Sequence, residues 1–95
     1  MKVYISLPIS GHDIVERRAY AENIERKLLE LGHNPVNPLR NGLAPDAPYR
    51  AHMRRDIFNL CGCDAIYQAP GWQDSQGCIV ENAVAKLLEL VFFKF

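Results

Sequence analysis

The sequence predicts an α/β domain in which a doubly wound, four-stranded parallel sheet of the flavodoxin or Rossmann type is flanked by three helices. Segments with strand character alternate with segments of helical period in the order β-α-β-α-β-α-β, and this alternation implies a parallel sheet covered by helices. The 95 residues are the size of a single domain, so residues 1–95 form one unit. Right-handed crossovers leave few strand orders, and 2-1-3-4 fits best because it places a proline-flanked strand at an edge.

The first half of the chain supplies a buried strand, a long helix and an edge strand. Residues Val3–Leu7 are almost all apolar, which is typical of a strand covered on both faces, and Pro8 ends it. The helix that follows ends at Gly32. Its apolar residues recur at helical spacing: Tyr20, Ile24, Leu28 and Leu31. Residues 34–38 contain two prolines, which confine them to a sheet edge.

The second half supplies a long loop, two helices and two strands. Residues 39–48 form a loop of a length that often covers a site. Residues Tyr49–Cys61 have the helical period, and Asp64–Gln68 form a short strand. A third helix runs from about Ser75 to Leu90, and Val91–Phe95 form a last strand. The apolar face predicted for the third helix consists of Val80, Val84, Leu87 and Val91.

The composition excludes several classes of protein. Hydrophobic residues make up 48% of the chain and charged residues 23%, which are ordinary values for a soluble globular domain rather than a disordered or collagen-like chain. The 11 basic and 11 acidic residues balance, so binding to a nucleic-acid polymer is disfavoured. No apolar run approaches the roughly 20 residues that a membrane helix needs.

The three cysteines and the absence of a secretory leader favour the reducing cytoplasm. The C-x-C spacing with a distant third cysteine matches no standard zinc pattern, even with His52 added. We therefore expect Cys61, Cys63 and Cys78 to be buried thiols and expect no metal site. The glycine patterns of dinucleotide and P-loop sites are absent, as are the serine-elbow and zinc-protease motifs, and no cofactor is expected.

Glu81 is the leading candidate for a catalytic group. Doubly wound sheets bind ligands beyond the carboxyl ends of their strands, and the third helix starts there. None of the residues one turn from Glu81 can pair with it: Gly77, Cys78, Val84 and Ala85. The nearby helix start favours its ionised form. Such a carboxylate can serve as a nucleophile or a base; the alternative is a half-exposed helix glutamate.

Other candidate residues each have two interpretations. Asp56 borders the apolar face of the second helix, where it is either solvated or a second carboxylate directed at the same cleft. Tyr4 is either a core tyrosine or a hydroxyl that holds the glutamate. Ser75 and Gly77 begin the third helix, as an N-cap, a phosphate site or both. Trp72 either stacks on a base or shields the core.

Together these residues resemble the nucleoside 2-deoxyribosyltransferase superfamily, in particular its small branch from bacteria and their phages. The superfamily includes the 2′-deoxynucleoside 5′-phosphate N-hydrolases. The matching segments run in order along nearly the whole chain, and the last is the most specific. They are Val3-Tyr4-Ile5-Ser6 with Pro8 and Gly11, then Met53–Ile57, then Cys63–Tyr67, then Pro70-Gly71-Trp72 with Ser75, Gly77, Glu81 and Ala85.

The resemblance implies cleavage of the bond between a nucleobase and deoxyribose. In characterised members a glutamate, matched by Glu81, attacks the anomeric carbon and forms a covalent glycosyl intermediate. An aspartate, matched by Asp56, engages the base and helps proton transfer, and a tyrosine, matched by Tyr4, orients the glutamate. Ser75 matches a serine that binds 5′-phosphate in the hydrolases, which favours a nucleotide substrate. The other expected substrate contacts are Ser10, Gly11, Trp72 and Gly77.

Two departures from the family pattern bear on activity. Leu7 stands where this branch usually has glycine, close to the expected place of the 5′ group. The chain ends at Phe95, whereas characterised relatives extend further and lend C-terminal residues to a neighbour's active site. The resemblance also implies a homo-oligomer, a dimer or higher, and the apolar residues 90–95 favour one.

The predicted function is N-glycosidic cleavage or deoxyribosyl transfer on a (deoxy)nucleoside or its 5′-monophosphate, with a small molecule as the partner and no membrane. One alternative is a non-catalytic nucleotide-binding or signal-sensing module on the same fold, which the two departures favour. Another is a pure interaction protein, which would not explain an unpaired glutamate at a cleft.

Overall fold

The computed structural model describes residues 1–95, and its elements follow the predicted order. They are β1 (Lys2–Ser6), α1 (Ile14–Glu30), β2 (Asn34–Val36), α2 (Tyr49–Cys61), β3 (Ala65–Gln68), α3 (Gln76–Leu87) and β4 (Val91–Phe93). Short 3₁₀ turns at Pro38–Arg40 and Trp72–Asp74 follow β2 and β3. None of the helices has the length and apolar character that crossing a bilayer requires.

The sheet has the predicted topology. All strands are parallel and their order is β2-β1-β3-β4, which confirms the doubly wound arrangement. β2 lies at an edge, where the missing N–H of Pro35 is tolerated. The order reverses beside β1, so the carboxyl ends of β1 and β3 open onto the place where such sheets bind ligands.

The side chains of β1 divide the interior in two, because successive residues of a strand point to opposite faces. Val3 and Ile5 pack against α1, whereas Tyr4 and Ser6 face α3. The α1 side of the core consists of Val3, Ile5, Leu7, Ala21, Ile24, Leu28, Ala65 and Ala69. The opposite side consists of Tyr4, Leu60, Cys63, Ile66 and Ala85. The second core is smaller, and polar side chains share its face of the sheet.

Several predicted elements extend past the residue at which the structure ends them. β1 ends at Ser6 rather than Leu7, and β4 ends at Phe93 rather than Phe95. α3 ends at Leu87 rather than Leu90, and Glu89 then takes a positive φ of 58° that no helix accommodates. The apolar residues beyond Leu87 therefore belong to a turn and a short strand.

The predicted apolar face of α3 is correct only at Val84, which packs against the smaller core. The buried residues of α3 are Cys78, Glu81 and Ala85, whereas Val80 and Leu87 are exposed. A carboxylate therefore occupies a position at which the hydrophobic period would place an apolar side chain. The same rotation leaves an apolar surface exposed on the outside of α3.

The prediction that all three cysteines are buried is wrong for one of them. Cys63 and Cys78 are buried, but Cys61 is exposed. Cys61 is the last residue of α2, and its side chain lies off the face that Leu60 presents to the core.

Candidate active site

A cleft of about 370 Å³ lies beyond the carboxyl end of β1. It is bounded by the start of α1, the loop between β2 and α2, α2 itself and the first turns of α3. Apolar residues of the loop form one wall: Leu39, Leu43, Pro45 and Ala47. The volume lies within the range of roughly 300–1,000 Å³ that is usual for small-molecule sites.

The structure brings most of the predicted site residues to this cleft. Those that line it are Tyr4, Ser10, Asp56, Ser75, Gly77 and Glu81. Gly11 and Trp72 are not among the lining residues. Gly11 lies in an exposed turn at φ 80°, and Trp72 is half-buried in the 3₁₀ turn after β3.

Glu81 is held at the floor of the cleft by two hydroxyl groups of β1. Tyr4 Oη donates to Glu81 Oε2 at 2.6 Å, and Ser6 Oγ donates to Oε1 at 2.8 Å. The side chain is 4% exposed. Both ion pairs of the chain lie elsewhere, so neutral donors alone hold this carboxylate.

Burial decides the charge of Glu81. Desolvation raises the pKa of Glu81 to about 7, although the hydrogen bonds from Tyr4 and Ser6 lower it; the charge of Asp56 raises it further. The helix start therefore does not keep the carboxyl fully ionised, because desolvation outweighs it. Burial, followed by the charge of Glu81, raises the pKa of Tyr4 well above its ordinary value, so the tyrosine remains a donor.

Asp56 is a second buried carboxylate that lines the cleft. It is 7% exposed, and burial raises its pKa, opposed by the hydrogen bond from Asn41. Asn41 Nδ2 donates to Asp56 Oδ1 at 3.0 Å. Two carboxylates in one cleft disfavour each other's ionisation, which agrees with the influence of Asp56 on Glu81.

The first turn of α3 presents small residues to the cleft. Ser75 is the N-cap, and its Oγ accepts from the amide of Cys78 at 3.3 Å. A Cβ on Gly77 would stand 3.2 Å from both Met53 Sδ and Tyr49 Oη. A larger residue there would crowd these two side chains of α2, so glycine suits the close approach of α2 and α3.

Ser6, Arg18 and Asn41 were not assigned to the site from the sequence. Arg18 and Asn41 line the cleft, and Ser6 bonds to Glu81. Ser6 could have been found, because strand alternation places it on the same face as Tyr4. Arg18 lines the cleft from α1. In the sequence it is part of the doublet Arg17-Arg18, which is typical of an exposed helix face. Asn41 is buried among polar partners that only the folded loop brings together.

The arrangement supports acid–base and nucleophilic chemistry. One carboxylate is fixed by hydroxyl donors at the cleft floor, and a second lies in the same cleft with one oxygen bonded to an amide. The first can attack or stabilise an electron-poor centre, and the second can exchange a proton. No group of three or more metal-ligating side chains is placed to hold a metal ion.

Two solved structures share this fold. "2-desoxiribosyltransferase from Leishmania mexicana" matches with a TM-score of 0.75 and 21% identity, over 99% of this chain and 63% of that chain. The 2-deoxyribosyltransferase from the psychrotolerant bacterium Bacillus psychrosaccharolyticus matches with a TM-score of 0.70 and 19% identity, over 94% and 67%. The present chain thus spans less than two thirds of the first. The fold is that of the 2-deoxyribosyltransferases, as the sequence resemblance predicted.

The chain belongs to a family described as a domain of unknown function (DUF4406), whose profile matches residues 1–93. This range contains every predicted site residue. No curated protein matches the sequence.

We expect Glu81→Gln to flatten the dependence of stability on pH. Because folding raises the pKa of Glu81 from 4.5 to about 7, the stability that its protonated form provides is complete below about pH 4.5 and is lost as the pH rises through 7. The loss is up to about 3 kcal/mol. Urea unfolding at a series of pH values measures it. The exposed Glu30→Gln is the control, and parallel curves for wild type and Glu81→Gln would contradict the assignment.

Proposed function

We propose that the protein cleaves the N-glycosidic bond of a (deoxy)nucleoside 5′-monophosphate or nucleoside, releasing the base to water or passing the sugar to another base. The observation that carries this proposal is the buried carboxylate of Glu81, fixed by Tyr4 and Ser6 at the floor of a cleft that also holds Asp56. The names of the two structural neighbours describe deoxyribosyl transfer.

The first half of the reaction forms a covalent intermediate. An oxygen of ionised Glu81 bonds to the anomeric carbon, the bond from that carbon to the base nitrogen breaks, and the electron pair leaves with the base. The departing base takes a proton from the protonated carboxyl of Asp56. Positive charge develops on the sugar during this step, and the adjacent carboxylate stabilises it, as in retaining glycosidases.

The second half restores the enzyme. Water attacks the anomeric carbon, its bond to Glu81 breaks, and the proton that water loses returns to Asp56. If another base attacks instead, the result is transfer rather than hydrolysis. The hydroxyls of Tyr4 and Ser6 hold both oxygens of the carboxylate and keep it aligned through both halves.

A 5′-phosphate subsite at the start of α3 supports a nucleotide substrate. Ser75 and Gly77 line the cleft at the helix N-terminus, where backbone amides and the helix dipole favour an anion. Arg18 lines the same cleft from α1 and takes part in neither ion pair of the chain. A guanidinium free to pair matches a phosphate in charge and in geometry.

A nucleotide-binding module without turnover is the second candidate function. Leu7 favours it, because this buried side chain lines the cleft as well as packing on the α1 side of the core. A bulky group there narrows the room for a sugar to move during reaction. Binding would survive such narrowing when catalysis would not, so turnover and binding must be measured separately.

We also propose a homodimer formed through the outer face of α2 and α3, in a reducing cytoplasm that suits the three free cysteines. Phe58, Ile79 and Val80 are exposed on this face, beside a groove whose rim includes Tyr49 and Met53. Those two residues also line the cleft, so a second copy seated there would complete its rim. A chain of this size gains stability from covering such a face.

Base release is the direct test of the enzyme proposal. We expect wild-type protein to free the base from at least one member of a panel of nucleosides, deoxynucleosides and their 5′-monophosphates, measured by chromatography with and without a second base. Glu81→Ala should release none. The proposed mechanism needs one proton on the pair of carboxyls, and the pKa of Glu81 is about 7. We therefore expect kcat/KM to fall above about pH 7, where both carboxyls are ionised, and again in acid, where both are protonated.

The controls separate chemistry from folding. Glu81→Ala must keep the wild-type circular dichroism spectrum, and Glu30→Gln should match wild-type turnover. No release from any substrate, combined with a thermal shift by a monophosphate, would replace the enzyme proposal with the binding module.

Arg18→Gln tests the phosphate subsite. We expect it to weaken binding of the deoxynucleoside 5′-monophosphate about tenfold, because a charged hydrogen-bonded pair is lost, and to leave binding of the nucleoside unchanged. Isothermal titration calorimetry measures both. Arg26→Gln on the same helix is the control, since Arg26 bonds only to Asn23. Equal weakening of both ligands would contradict a phosphate contact.

Phe58→Glu tests the dimer. Phe58 is 75% exposed on α2, and we expect a charge there to shift the molar mass in light scattering toward that of the single chain. Leu29→Glu is the matched control, because Leu29 is exposed on α1, on the opposite face of the sheet. A wild-type mass equal to one chain at all concentrations would refute the dimer.

A further inference from the structure

Asn41 is a buried amide that joins the loop over the cleft to α2. It lies just after the 3₁₀ turn, and every polar group of its side chain is bonded. Its Oδ1 accepts from the amide of Leu43 at 3.0 Å, and its Nδ2 lies 3.0 Å from both Asp56 Oδ1 and His52 Nδ1. Its backbone carbonyl accepts from Arg55 Nη1 at 3.1 Å. The loop is thereby attached to α2 at His52, Arg55 and Asp56.

The partners of Asn41 fix the orientation of its amide. The backbone N–H of Leu43 can only donate, so the atom facing it must be the side-chain oxygen. The nitrogen then faces Asp56, whose carboxylate accepts. The reverse orientation would place oxygen against the carboxylate and N–H against N–H, so it is excluded at two contacts.

The same reasoning fixes the tautomer of His52. Its Nε2 lies 3.1 Å from the carbonyl oxygen of Ala44, which can only accept, so Nε2 carries the hydrogen. Its Nδ1 is then a free acceptor in the neutral ring, and it receives the second N–H of Asn41. Two groups on α2, one turn apart, therefore use both hydrogens of a single amide.

We infer that Asn41 is a positioning residue for Asp56. His52 holds the amide of Asn41 in place and so acts on Asp56 through Asn41. The amide bonds Oδ1 of Asp56, so the other carboxyl oxygen is left for the cleft. His52 and Asp56 are spaced by four residues on one face of α2, and Asn41 crosses between them. The catalytic meaning of this inference rests on the proposed function; the geometry does not.

The apolar wall of the cleft depends on the same contacts. Leu43, Pro45 and Ala47 line the cleft and lie in the loop that Asn41 and the His52–Ala44 bond attach to α2. Breaking the network would loosen this wall as well as release the Asp56 carboxyl. The orientation of the Asp56 carboxyl and the position of the apolar wall therefore depend on the same hydrogen bonds.

The test begins without substrate. Long-range ¹H–¹⁵N spectra of the wild-type protein should show neutral His52 with its hydrogen on Nε2. In ¹³C-detected titrations, Asn41→Ala should raise the apparent pKa of the Asp56 carboxyl by about one unit or more, because a donor to the ionised form is lost. Asn34→Ala, on the exposed edge of β2, is the control and should leave that titration unchanged.

Two variants of His52 distinguish the loss of its hydrogen-bond acceptor from the loss of its ring. His52→Asn can present an oxygen close to the place of Nδ1 and should keep the Asp56 titration near wild type. His52→Leu has no acceptor and should shift the titration toward that of Asn41→Ala. A hydrogen on Nδ1 in the wild type, or the same Asp56 titration in wild type and Asn41→Ala, would overturn the inference.

Turnover adds a readout that a purely structural role would not move. For a substrate that wild type cleaves, Asn41→Ala should lower kcat at least tenfold with a smaller change in KM, and it should move the pH profile in the direction of the Asp56 titration. His52→Asn should be more active than His52→Leu. An unchanged kcat and pH profile in Asn41→Ala would overturn the positioning role, whereas failure of wild type to release any base would refute only the proposed function.

Discussion

Burial of the Glu81 carboxyl is the constraint around which this small domain is arranged. α3 turns a carboxylate rather than an apolar side chain toward the sheet, and desolvation makes its ionisation costly. Two hydroxyl groups of β1 offset part of that cost, and no cation does so. The result is a carboxyl whose pKa lies near neutrality. Groups with such shifted pKa values are concentrated at functional sites of proteins.

The alternation of β1 connects this site to the stability of the domain. Val3 and Ile5 belong to the larger core against α1, and Tyr4 and Ser6 alternate with them along the same strand. The backbone that carries the hydroxyls is therefore fixed by apolar packing on the opposite face. A shift of one residue in the register of β1 would lose the core and the carboxylate's donors together, so the fold and the site specify the same pairing.

The sequence was sufficient to predict the strand order and to single out Glu81. It was insufficient where packing overrides the local pattern. Alternating elements and the prolines around β2 predict the order, and the absence of basic residues one turn from Glu81 predicts that no ion pair holds it. The hydrophobic period misplaced the buried face of α3, because a carboxylate and two small residues are buried there in place of large apolar side chains. Asn41 could not be predicted, because its partners lie up to 15 positions away and meet only in the folded loop.

The apolar wall of the cleft affects the ionisation of its two carboxyls. Glu81 and Asp56 oppose each other's ionisation, so the pair most easily carries one proton between them. A ligand that displaces water from the cleft strengthens this opposition, since charges interact more strongly in a drier site. The proposed mechanism requires one acid for base departure and one carboxylate for nucleophilic attack. A wall that excludes water as the ligand binds would therefore favour the charge state that the proposed mechanism requires.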